Sequence, residues 1–302
     1  MQPLLSKKNI AIVFILIILS LGTYIKLHEK TPVIEITNKK EEKVITWPIK
    51  TIIGTSIEKR AIEKYTFGDG PTHLVFVGGI HGGYEWNSIL LSYTFIDYLT
   101  NNPTSIPKNI TISIVPSVNP DGAYKVTGKE GRFTREDVSN DKKILTSGRF
   151  NANNVDLNRN FDCKWKPKST WQSNIVSAGS APFSEPETKA IQHFMLTEKP
   201  TAVIFWHSQS NSVFASQCQN GIMQETLTLM NLYSQASGYP AIQSFDAYEI
   251  TGAADDWLSS INIPAITVEL QSHETIEWEE NLAGIQAILK QYTNNQSSNI
   301  KK

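Results

Sequence analysis

Four short apolar runs recur along this chain, with segments of helical periodicity between and after them. The runs read LVFV at 74–77, ITISIV at 110–115, AVIFW at 202–206 and AITVEL at 265–270. Short apolar runs of this kind are typical of buried strands, and helical patterns cover 88–99, 187–196, 225–237 and 279–292. Strands that alternate with helices predict an α/β fold with a mixed, mostly parallel central sheet and helices on both of its faces.

Two helix ends carry specific signals. Ser184 is followed three residues later by Glu187, which matches the capping box that opens many helices. Gly238 directly follows the 225–237 segment and is the residue expected just past a helix end. We therefore predict a helix that opens with the Ser184 box and another that ends before Gly238.

Residues with metal-binding or acid–base chemistry occur at the ends of three predicted strands. His81 follows LVFVGGI, His207 follows AVIFW, and Glu269 lies near the end of AITVEL. The carboxyl ends of parallel strands meet at one edge of a sheet, so we expect these side chains to lie together. A single histidine after a strand is more often structural or merely exposed, but three such strand ends favour a site.

The stretch GGIHGGYEWN at 78–87 places a second carboxylate near the first histidine. Its glycines indicate a sharp turn between a strand and a helix, and Glu85 follows His81 by four residues. These two residues are either metal ligands or solvated loop residues. A catalytic zinc site needs three ligands of the His and carboxylate kind, so companions elsewhere in the chain decide between the two interpretations.

The densest polar motif is GRFNANNVDLNRNFD at 148–162. Arg149, Arg159 and Asn158 are groups suited to forked hydrogen bonds with a carboxylate or a developing oxyanion. Asp156 could orient an imidazole that binds a metal. The alternative is an asparagine-rich surface loop whose arginines pair with nearby acids.

Charge and composition limit the classes of partner. The formal net charge is −1, and no arginine-rich run or stripe of aromatic and basic residues occurs. This balance gives no electrostatic reason to expect nucleic acid as a partner. With 302 residues, of which 40% are hydrophobic, the chain can bury one large core, and we expect a monomer.

The amino-terminal segment indicates a membrane. Lys7 and Lys8 precede an uncharged apolar run at 10–25, and no small-residue cleavage site or lipidation cysteine follows it. We predict a cell-membrane protein with a single-pass topology and the catalytic domain outside the cytoplasm, although a buried core helix is an alternative. The predicted parts are a cytoplasmic segment at 1–8, an anchor helix at 9–25, a stalk at 26–46, a catalytic domain at 47–293 and a flexible tail at 294–302.

Cys163 and Cys218 are the only cysteines. In an oxidising compartment two cysteines raise the possibility of one disulfide. Two unpaired thiols are the alternative, and sequence alone does not decide between them because a bridge needs Cα atoms within about 7 Å.

In these motifs the chain resembles the zinc metallocarboxypeptidases of the carboxypeptidase A/B type. The resemblance runs from about residue 47 to residue 292, in order, through GGIHGGYE, NPDG, VDLNRNFD, PFSEPET, FWHSQS, TGAADDW and TVEL. A match of this many motifs in order is highly specific. It implies the family's fold and one zinc ion per chain, with Asp156 supporting His81.

The resemblance also implies the ligands and the reacting groups. Zinc would be held by His81, Glu85 and His207. Glu269 would act as the general base, and Arg149 would polarise the scissile carbonyl. The family usually has two residues between its first histidine and the glutamate, whereas HGGYE has three. The two glycines of this motif could absorb the extra residue as a wider turn.

A peptide with a free C-terminal carboxylate is the implied substrate. Asn158 and Arg159 would grip the terminal carboxylate, and Tyr248 would close over the substrate. Asp255 falls at the base of the pocket for the terminal side chain, which implies a preference for basic residues. Alternatively the register is off by one, and Asp255 or Asp256 caps the helix that begins there.

We therefore expect a zinc-dependent metallocarboxypeptidase that removes C-terminal residues. Family relatives also trim cell-wall peptides, so a cell-wall (peptidoglycan) peptide hydrolase is an alternative function. A non-catalytic zinc- or peptide-binding module should lack a ligand or the base, and this chain has both histidines and Glu269.

Overall fold

The structure, a computed structural model, describes residues 7–27 and 46–299. The chain divides into two units, 1–45 and 46–302, and each is described by itself. All of the motifs that suggest chemistry lie in the larger unit.

An eight-stranded mixed sheet lies at the centre of the larger unit. In chain order the strands are β1 (Ile49–Thr55), β2 (Ala61–Phe67), β3 (Thr72–Val77), β4 (Ile110–Val115), β5 (Lys168–Trp171), β6 (Asn174–Ser177), β7 (Ala202–Ser208), β8 (Ser212–Ala215), β9 (Ala241–Ile242) and β10 (Ala265–Leu270). Strands β5 and β6 form a separate hairpin, and the others pair in the order β1-β2-β4-β3-β7-β10-β8-β9. The central strands β4, β3, β7 and β10 are parallel, whereas β2 and β8 join them antiparallel. The predicted mixed, mostly parallel sheet is confirmed.

Helices and short turns connect the strands. The α-helices are α1 (Lys7–Leu27), α2 (Trp86–Asn101), α3 (Pro120–Thr127), α4 (Lys142–Ser147), α5 (Pro186–Glu198), α6 (Gln224–Ser237), α7 (Ala254–Ser260) and α8 (Trp278–Asn299). Single 3-10 turns occur at Gly82–Glu85, Pro103–Ser105, Arg135–Asp137 and Leu157–Arg159. Two of these turns lie in the motifs proposed for the active site.

The central strands bury side chains on both faces of the sheet. Successive strand residues point to opposite faces, so Phe76 and Ile204 pack with α2, α6 and α8 on one side. Their neighbours Val75 and Phe205 pack with α5 and α7 on the other. Burial on both faces explains why these strands read as continuous apolar runs rather than as alternating ones.

The predicted strands form within two residues of their expected ends, but one helix start differs. The capping box of Ser184 and Glu187 is wrong, because α5 begins at Pro186 with Glu185 before it. Proline is favoured in the first helical position, and the Glu187 carboxylate instead accepts the backbone N–H of Ile57 at 3.1 Å. The other predicted end is confirmed, since Gly238 takes a left-handed conformation with φ 83° directly after α6.

The predicted membrane anchor at 9–25 falls within α1. Among the residues described, no helix combines the length and the apolar character needed to cross a membrane. The membrane anchor is therefore unsupported. The uncharged run covers only sixteen residues. It amounts to about 24 Å of helix, against about 30 Å for the hydrocarbon core of a bilayer.

The remaining predicted boundaries lie partly outside the described residues. This applies to residues 1–6 of the predicted cytoplasmic segment, residues 28–45 of the predicted stalk and residues 300–302 of the predicted tail. The C-terminal helix continues to Asn299, so most of the predicted tail is helical. An established helix adds residues at little cost, which explains how α8 extends past its last apolar positions.

Candidate active site

The residues at the strand ends meet at one edge of the sheet. His207 in β7 and Glu269 in β10 are Cα partners in the parallel pairing of these strands. Strand β7 pairs with β10 along one edge and with β3 along the other. Strand β3 is followed by the loop that carries His81. The three side chains line one cleft, as the parallel order of the strands leads one to expect.

His81, Glu85 and His207 form a compact set of metal-binding groups. Their ligand atoms lie within 4.8 Å of one another, and all three residues are buried. His207 Nδ1 is 3.0 Å from Glu85 Oε2, and His81 Nε2 is 3.9 Å from Glu85 Oε1. Two imidazoles and one carboxylate are ligands that catalytic zinc prefers, at bond lengths of about 2 Å, so the donor set fits a zinc ion.

The extra residue between His81 and Glu85 is accommodated in a 3-10 turn. This turn spans Gly82–Glu85, and Gly82 has φ +49°. A Cβ atom at this position would come within 2.6 Å of the Gly148 carbonyl oxygen, so only glycine fits without a shift. The turn therefore brings the Glu85 carboxylate to the histidines despite the longer spacing.

Asp156 connects His81 with Arg149. Its Oδ1 lies 3.4 Å from His81 Nδ1, and its Oδ2 accepts a hydrogen bond from Arg149 Nε at 2.9 Å. Arg149 Nη1 is 3.5 Å from Glu85 Oε1, and the guanidinium stacks over the Trp171 ring at 4.5 Å from its centre. A buried aspartate thus binds the positive charge of Arg149 and lies next to the imidazole of His81.

Burial lowers the pKa of both histidines, but their neighbouring charges differ. It lowers the pKa of His81 well below the usual value, and the positive charge of Arg149 adds to this effect. His81 is therefore neutral, as a metal ligand must be. Burial would also lower the pKa of His207, but the ion pair with Glu85 outweighs it and raises that pKa.

Glu269 is half-buried at the edge of the ligand set. Its Oε2 accepts no hydrogen bond from the described residues. Burial raises the pKa of Glu269 to about 7. The charge of His207 lowers this pKa, whereas the negative charge of Glu85 raises it. A carboxyl group with a pKa near neutrality is suited to accept and return a proton.

Asn158 and Arg159 reach the cleft from the turn at Leu157–Arg159. The guanidinium of Arg159 donates to the carbonyl oxygens of Thr170 and Asn158, which uses three of its five N–H groups. The Asn158 amide oxygen accepts the backbone N–H of Ala254 at 2.9 Å, so its amino group is the remaining donor. Both side chains retain donors for an anionic ligand.

The predicted substrate-binding residues line a cleft of about 530 Å³ together with the metal ligands. Tyr248 is half-buried there and interacts with Arg159, although burial lowers the pKa of that arginine overall. Asp255 also lines the cleft, and its Oδ2 accepts the Thr267 hydroxyl at 3.0 Å. The alternative of a helix cap is wrong, because Ala253 precedes α7 and both aspartates lie inside its first turn, where Asn158 rather than either of them accepts the first backbone N–H.

Three aromatic residues of the cleft were missed by sequence reasoning. The Tyr84 ring lies 5.1 Å from that of Trp171 and 4.7 Å from that of His273. His273 is also hydrogen-bonded to Ser208 at 2.7 Å. His273 lies three residues past β10, so a wider reading of the strand ends could have found it. Trp171 lies in the β5–β6 hairpin, where no sequence signal marks it.

A disulfide joins two segments whose adjacent residues Lys164 and Gln217 line the cleft. Cys163 and Cys218 are bridged with their Cα atoms 6.0 Å apart, which decides the question that the sequence left open. The Cys163 carbonyl accepts the backbone N–H of Gly252 at 2.8 Å. A Cβ at Gly252 would come within 2.2 Å of the Arg159 carbonyl oxygen, so the close approach of these segments requires glycine.

Comparisons with known proteins agree on one family. A family model described as zinc carboxypeptidase matches residues 48–295. The gamma-D-glutamyl-L-diamino acid endopeptidase 1 of Lysinibacillus sphaericus is 28% identical over 244 residues, which cover 74% of this chain and 60% of that protein. Carboxypeptidase B2 of Rattus norvegicus is 29% identical over 224 residues, which cover 64% of this chain and 50% of that protein. The chain thus covers only half to three fifths of the length of these relatives.

A solved structure extends the similarity to the whole fold. The murein-tripeptide amidase from Escherichia coli O157 superposes with a TM-score of 0.57 at 22% identity, over 82% of this chain and 93% of that one. At this identity the likeness concerns the fold alone. Since the family match begins just before β1 and ends within α8, it includes the entire sheet and every residue of the cleft, and the chain belongs to the zinc carboxypeptidase family.

Proposed function

We propose that this protein is a zinc-dependent metallocarboxypeptidase that hydrolyses the C-terminal peptide bond of peptides, with a preference for basic terminal residues. The observation that carries the proposal is the position of Glu269 beside His207, in the same cleft as Asn158 and Arg159. A base next to a metal-ligand set supports hydrolysis. Donors for a carboxylate in the same cleft support cleavage at a chain end.

Glu269 carries the proton transfers of the proposed reaction. A zinc ion held by His81, Glu85 and His207 would supply a Lewis acid that polarises the carbonyl group and makes water more acidic. Glu269 takes a proton from the attacking water and later donates it to the leaving amine. Its pKa of about 7 suits both transfers near neutral pH.

Arg149 provides a fixed positive charge for the oxygen of the scissile carbonyl. The residue is buried, and Asp156 and the Trp171 ring hold its guanidinium in one orientation. A charge that is in place before the reaction stabilises the developing oxyanion without reorganisation. Arg149 is thus the partner of Glu269 in the chemical step.

The terminal carboxylate is bound by the remaining donors of Asn158 and Arg159. Tyr248 lies next to Arg159 and, from its half-buried position, can close over the bound end of the peptide. Asp255 lines the same cleft and supplies a negative charge for a cationic terminal side chain. We expect the enzyme to act as a monomer, because every residue in this scheme comes from one chain.

Two peptides test the proposal directly. A peptide that ends in Lys with a free carboxylate should be shortened by one residue, whereas its C-terminally amidated twin should remain intact. Mass spectrometry of both after incubation with the zinc-loaded full chain gives the answer. Cleavage of the amide at the same rate would contradict exopeptidase action, and cleavage of neither would support a binding module.

A cell-wall peptide hydrolase is the second candidate function. It is supported by the activities for which two similar proteins are named, a gamma-D-glutamyl-L-diamino acid endopeptidase and a murein-tripeptide amidase. Incubation with purified cell-wall peptides and with linear peptides, in parallel, separates the two candidates. Release of products from the cell-wall peptides alone would favour this second function.

We also propose that the catalytic domain works outside the cytoplasm. The disulfide between Cys163 and Cys218 supports this location, because disulfides persist in oxidising compartments and are rare in the cytosol. Alkylation of thiols in intact cells, followed by peptide mass mapping without reduction, tests the location. Recovery of the bridged peptide is expected, and two alkylated cysteines would contradict the proposal.

A further inference from the structure

Asn87 connects the start of α2 with the loop that follows β10. Its side chain is completely buried. The Nδ2 atom donates to the carbonyl oxygens of Ser272 at 2.7 Å and Thr275 at 2.9 Å. On the other side of the amide, the Ser208 hydroxyl lies 2.9 Å from Asn87 Oδ1. Because carbonyl oxygens only accept, the amide has one possible orientation, with its oxygen towards Ser208.

This orientation determines where the proton of the Ser208 hydroxyl lies. A hydroxyl group has a single proton, and Asn87 Oδ1 is an acceptor that requires it. The Ser208 oxygen must then accept a hydrogen bond from His273 Nδ1, which lies 2.7 Å away. The Nδ1 atom of His273 therefore carries a hydrogen.

The second ring nitrogen of His273 is left as a hydrogen-bond acceptor. Burial lowers the pKa of this histidine, so its imidazole is neutral at neutral pH and carries one proton. Since that proton is on Nδ1, the Nε2 atom has a lone pair. No residue in the described part of the chain donates to Nε2, and His273 lines the cleft. A substrate group in the cleft can therefore donate to it.

The loop that carries His273 is fixed before a substrate binds. Asn87 holds it at two carbonyl oxygens, and the Glu277 carboxylate accepts the backbone N–H of Gln271 at 2.9 Å. The imidazole also packs edge-on against the Tyr84 ring, with the ring centres 4.7 Å apart. An acceptor that is held in place in this way binds its partner with little loss of side-chain entropy.

The neighbours of His273 indicate which part of a peptide it meets. The ring packs on Tyr84 and the Nδ1 atom bonds to Ser208, and each of these residues is adjacent in sequence to a proposed metal ligand. Within the described residues these contacts do not involve the turn Leu157–Arg159, which carries the donors proposed for the terminal carboxylate. A peptide bound to that turn, with its scissile carbonyl at the metal, therefore presents residues before the scissile bond to His273.

We propose that His273 Nε2 accepts a hydrogen bond from a backbone N–H of the peptide substrate, upstream of the scissile bond. His273 is thus a specificity-determining residue, because it selects substrates that continue upstream through an amide linkage with a free N–H. A substrate with an ester linkage at that position lacks the donor and leaves Nε2 unpaired. This inference rests on the proposed function, since it assigns a substrate contact in the same cleft.

Three matched peptides locate the donor. All of them end in Lys with a free carboxylate, and one contains amide linkages only. In each of the other two, an ester oxygen replaces the N–H of one of the two linkages before the scissile bond. With the zinc-loaded full chain, one ester should show a kcat/KM about three- to ten-fold below that of the all-amide peptide, the range expected for one neutral hydrogen bond. Equal kcat/KM for all three peptides would overturn the proposal.

Two variants separate the roles of the two ring nitrogens. In His273→Asn the amide nitrogen lies near the position of Nδ1, so this variant keeps the bond to Ser208 and removes Nε2. In His273→Gln the longer side chain brings an amide oxygen to the position of Nε2, but the bond to Ser208 is lost. The difference between the amide and the ester peptide should disappear in the Asn variant and persist in the Gln variant. The opposite pattern would show that His273 acts only through Ser208, and the proposal would fail.

His193→Asn is the matched control. His193 is exposed on α5 and does not line the cleft. The control should therefore keep the parent's difference in kcat/KM between the amide and the ester peptide. If His273→Asn keeps the same difference as this control, the substrate N–H donates to another residue and the proposal is refuted.

Binding measurements make the test independent of turnover. Calorimetry with Glu269→Gln, which we expect to bind peptides without cleaving them, gives dissociation constants for the amide and ester peptides. The His273→Asn change is then added to that background and should make the constants equal. If the parent hydrolyses none of the peptides, the proposed function fails, yet the ratio of dissociation constants still decides whether the contact exists. Equal binding of the amide and both esters to Glu269→Gln would refute the contact even in an active enzyme.

Discussion

Glu269 and His207 face each other as Cα partners in the parallel pairing of β10 with β7. The proposed base and one proposed metal ligand are thus fixed by the hydrogen-bond register of two central strands rather than by loops. Strands buried on both faces are the most rigid part of such a fold. The relative position of the proposed base and of one metal ligand is therefore set by the core of the sheet.

Replacement of Glu269 by Gln should abolish most of the hydrolysis and leave metal binding intact. Glutamine has the same shape but cannot accept and return the proton, and general acid–base catalysis contributes roughly 10²- to 10⁴-fold. We expect kcat on a Lys-terminal peptide to fall by about that factor. Zinc content, measured by elemental analysis, should equal that of the parent enzyme. Activity above about a tenth of the parent would remove Glu269 from the role of base.

Glu85→Ala should release the metal, because two histidines alone do not complete the three-ligand set. Zinc content after dialysis against a zinc buffer is the measurement. Glu280→Ala, an exposed change at the start of α8, should keep the parent content. If Glu85→Ala also retained a full equivalent of zinc, the longer spacing after His81 would have excluded Glu85 from the ligand set.

Asp255→Ala should reduce the difference in kcat/KM between peptides that end in Lys and peptides that end in Phe. Loss of a charge-assisted hydrogen bond of about 1.5 to 3 kcal/mol reduces kcat/KM for the Lys peptide by roughly ten-fold to a hundred-fold. The Phe peptide should change little or improve, because a desolvated carboxylate has been removed from its pocket. Parallel kinetics on the two peptides give the ratio. A ratio that does not change would show that Asp255 does not contact the terminal side chain.

Asp256 makes the stability of the enzyme depend on pH. Burial raises its pKa to about 8, and the negative charge of Asp255 adds to this, while Lys164, Arg159 and the N–H of Gln217 oppose it. Since the pKa in the folded state lies above that of the unfolded chain, the folded state holds the proton more tightly. Stability from this group is therefore complete at about pH 4 and below, and it is lost as the pH rises to about 8.

Asp256→Asn should remove this dependence. At pH 8.5 the variant should gain about 1 to 2 kcal/mol over the parent, a modest figure because water in the cleft screens the charge. At pH 8.5 the Tm of the variant should exceed that of the parent by about 2 to 6 °C. At pH 4 the two Tm values should be nearly equal. Thermal unfolding of both proteins at the two pH values measures it. A variant that is less stable than the parent at pH 8.5 would contradict the raised pKa.

Removal of the disulfide should affect stability and substrate binding more than the chemical step. The bridge spans 55 residues, and closing a loop of that length stabilises a fold by about 4 kcal/mol in the chain-entropy model. The Cys163→Ser, Cys218→Ser double variant should lower Tm by roughly 10 °C. KM should rise more than kcat falls, because the bridge holds the wall with Lys164 and Gln217 and not the metal ligands. A larger loss in kcat than in KM would contradict this division.

The strand ends could be predicted from sequence because each signal is local. LVFV and AVIFW are apolar throughout and AITVEL is apolar on one face. Parallel order brings the ends of such strands to one edge, so His81, His207 and Glu269 could be grouped in advance. The wider turn at Glu85 was also foreseeable, since its glycines mark a sharp turn.

Other features could not be read from the chain because they depend on distant contacts. Lys164 lines the cleft, and its neighbour Cys163 is bridged to Cys218, 55 residues away. Trp171 stacks on Arg149 through a hairpin that carries no motif. The capping box at Ser184 failed because Pro186 fits the first helical position and Glu187 finds a partner in a different strand connection.

The bridge between Cys163 and Cys218 restrains segments that line the cleft but carry none of the proposed metal ligands. It ties together two segments that line the cleft outside the sheet, while His207 and Glu269 lie in the central strands. New substrate ranges can therefore evolve by exchange of the tethered loops, with the reaction centre left untouched. The two bridged segments are also where a designer could graft a foreign recognition loop onto this scaffold.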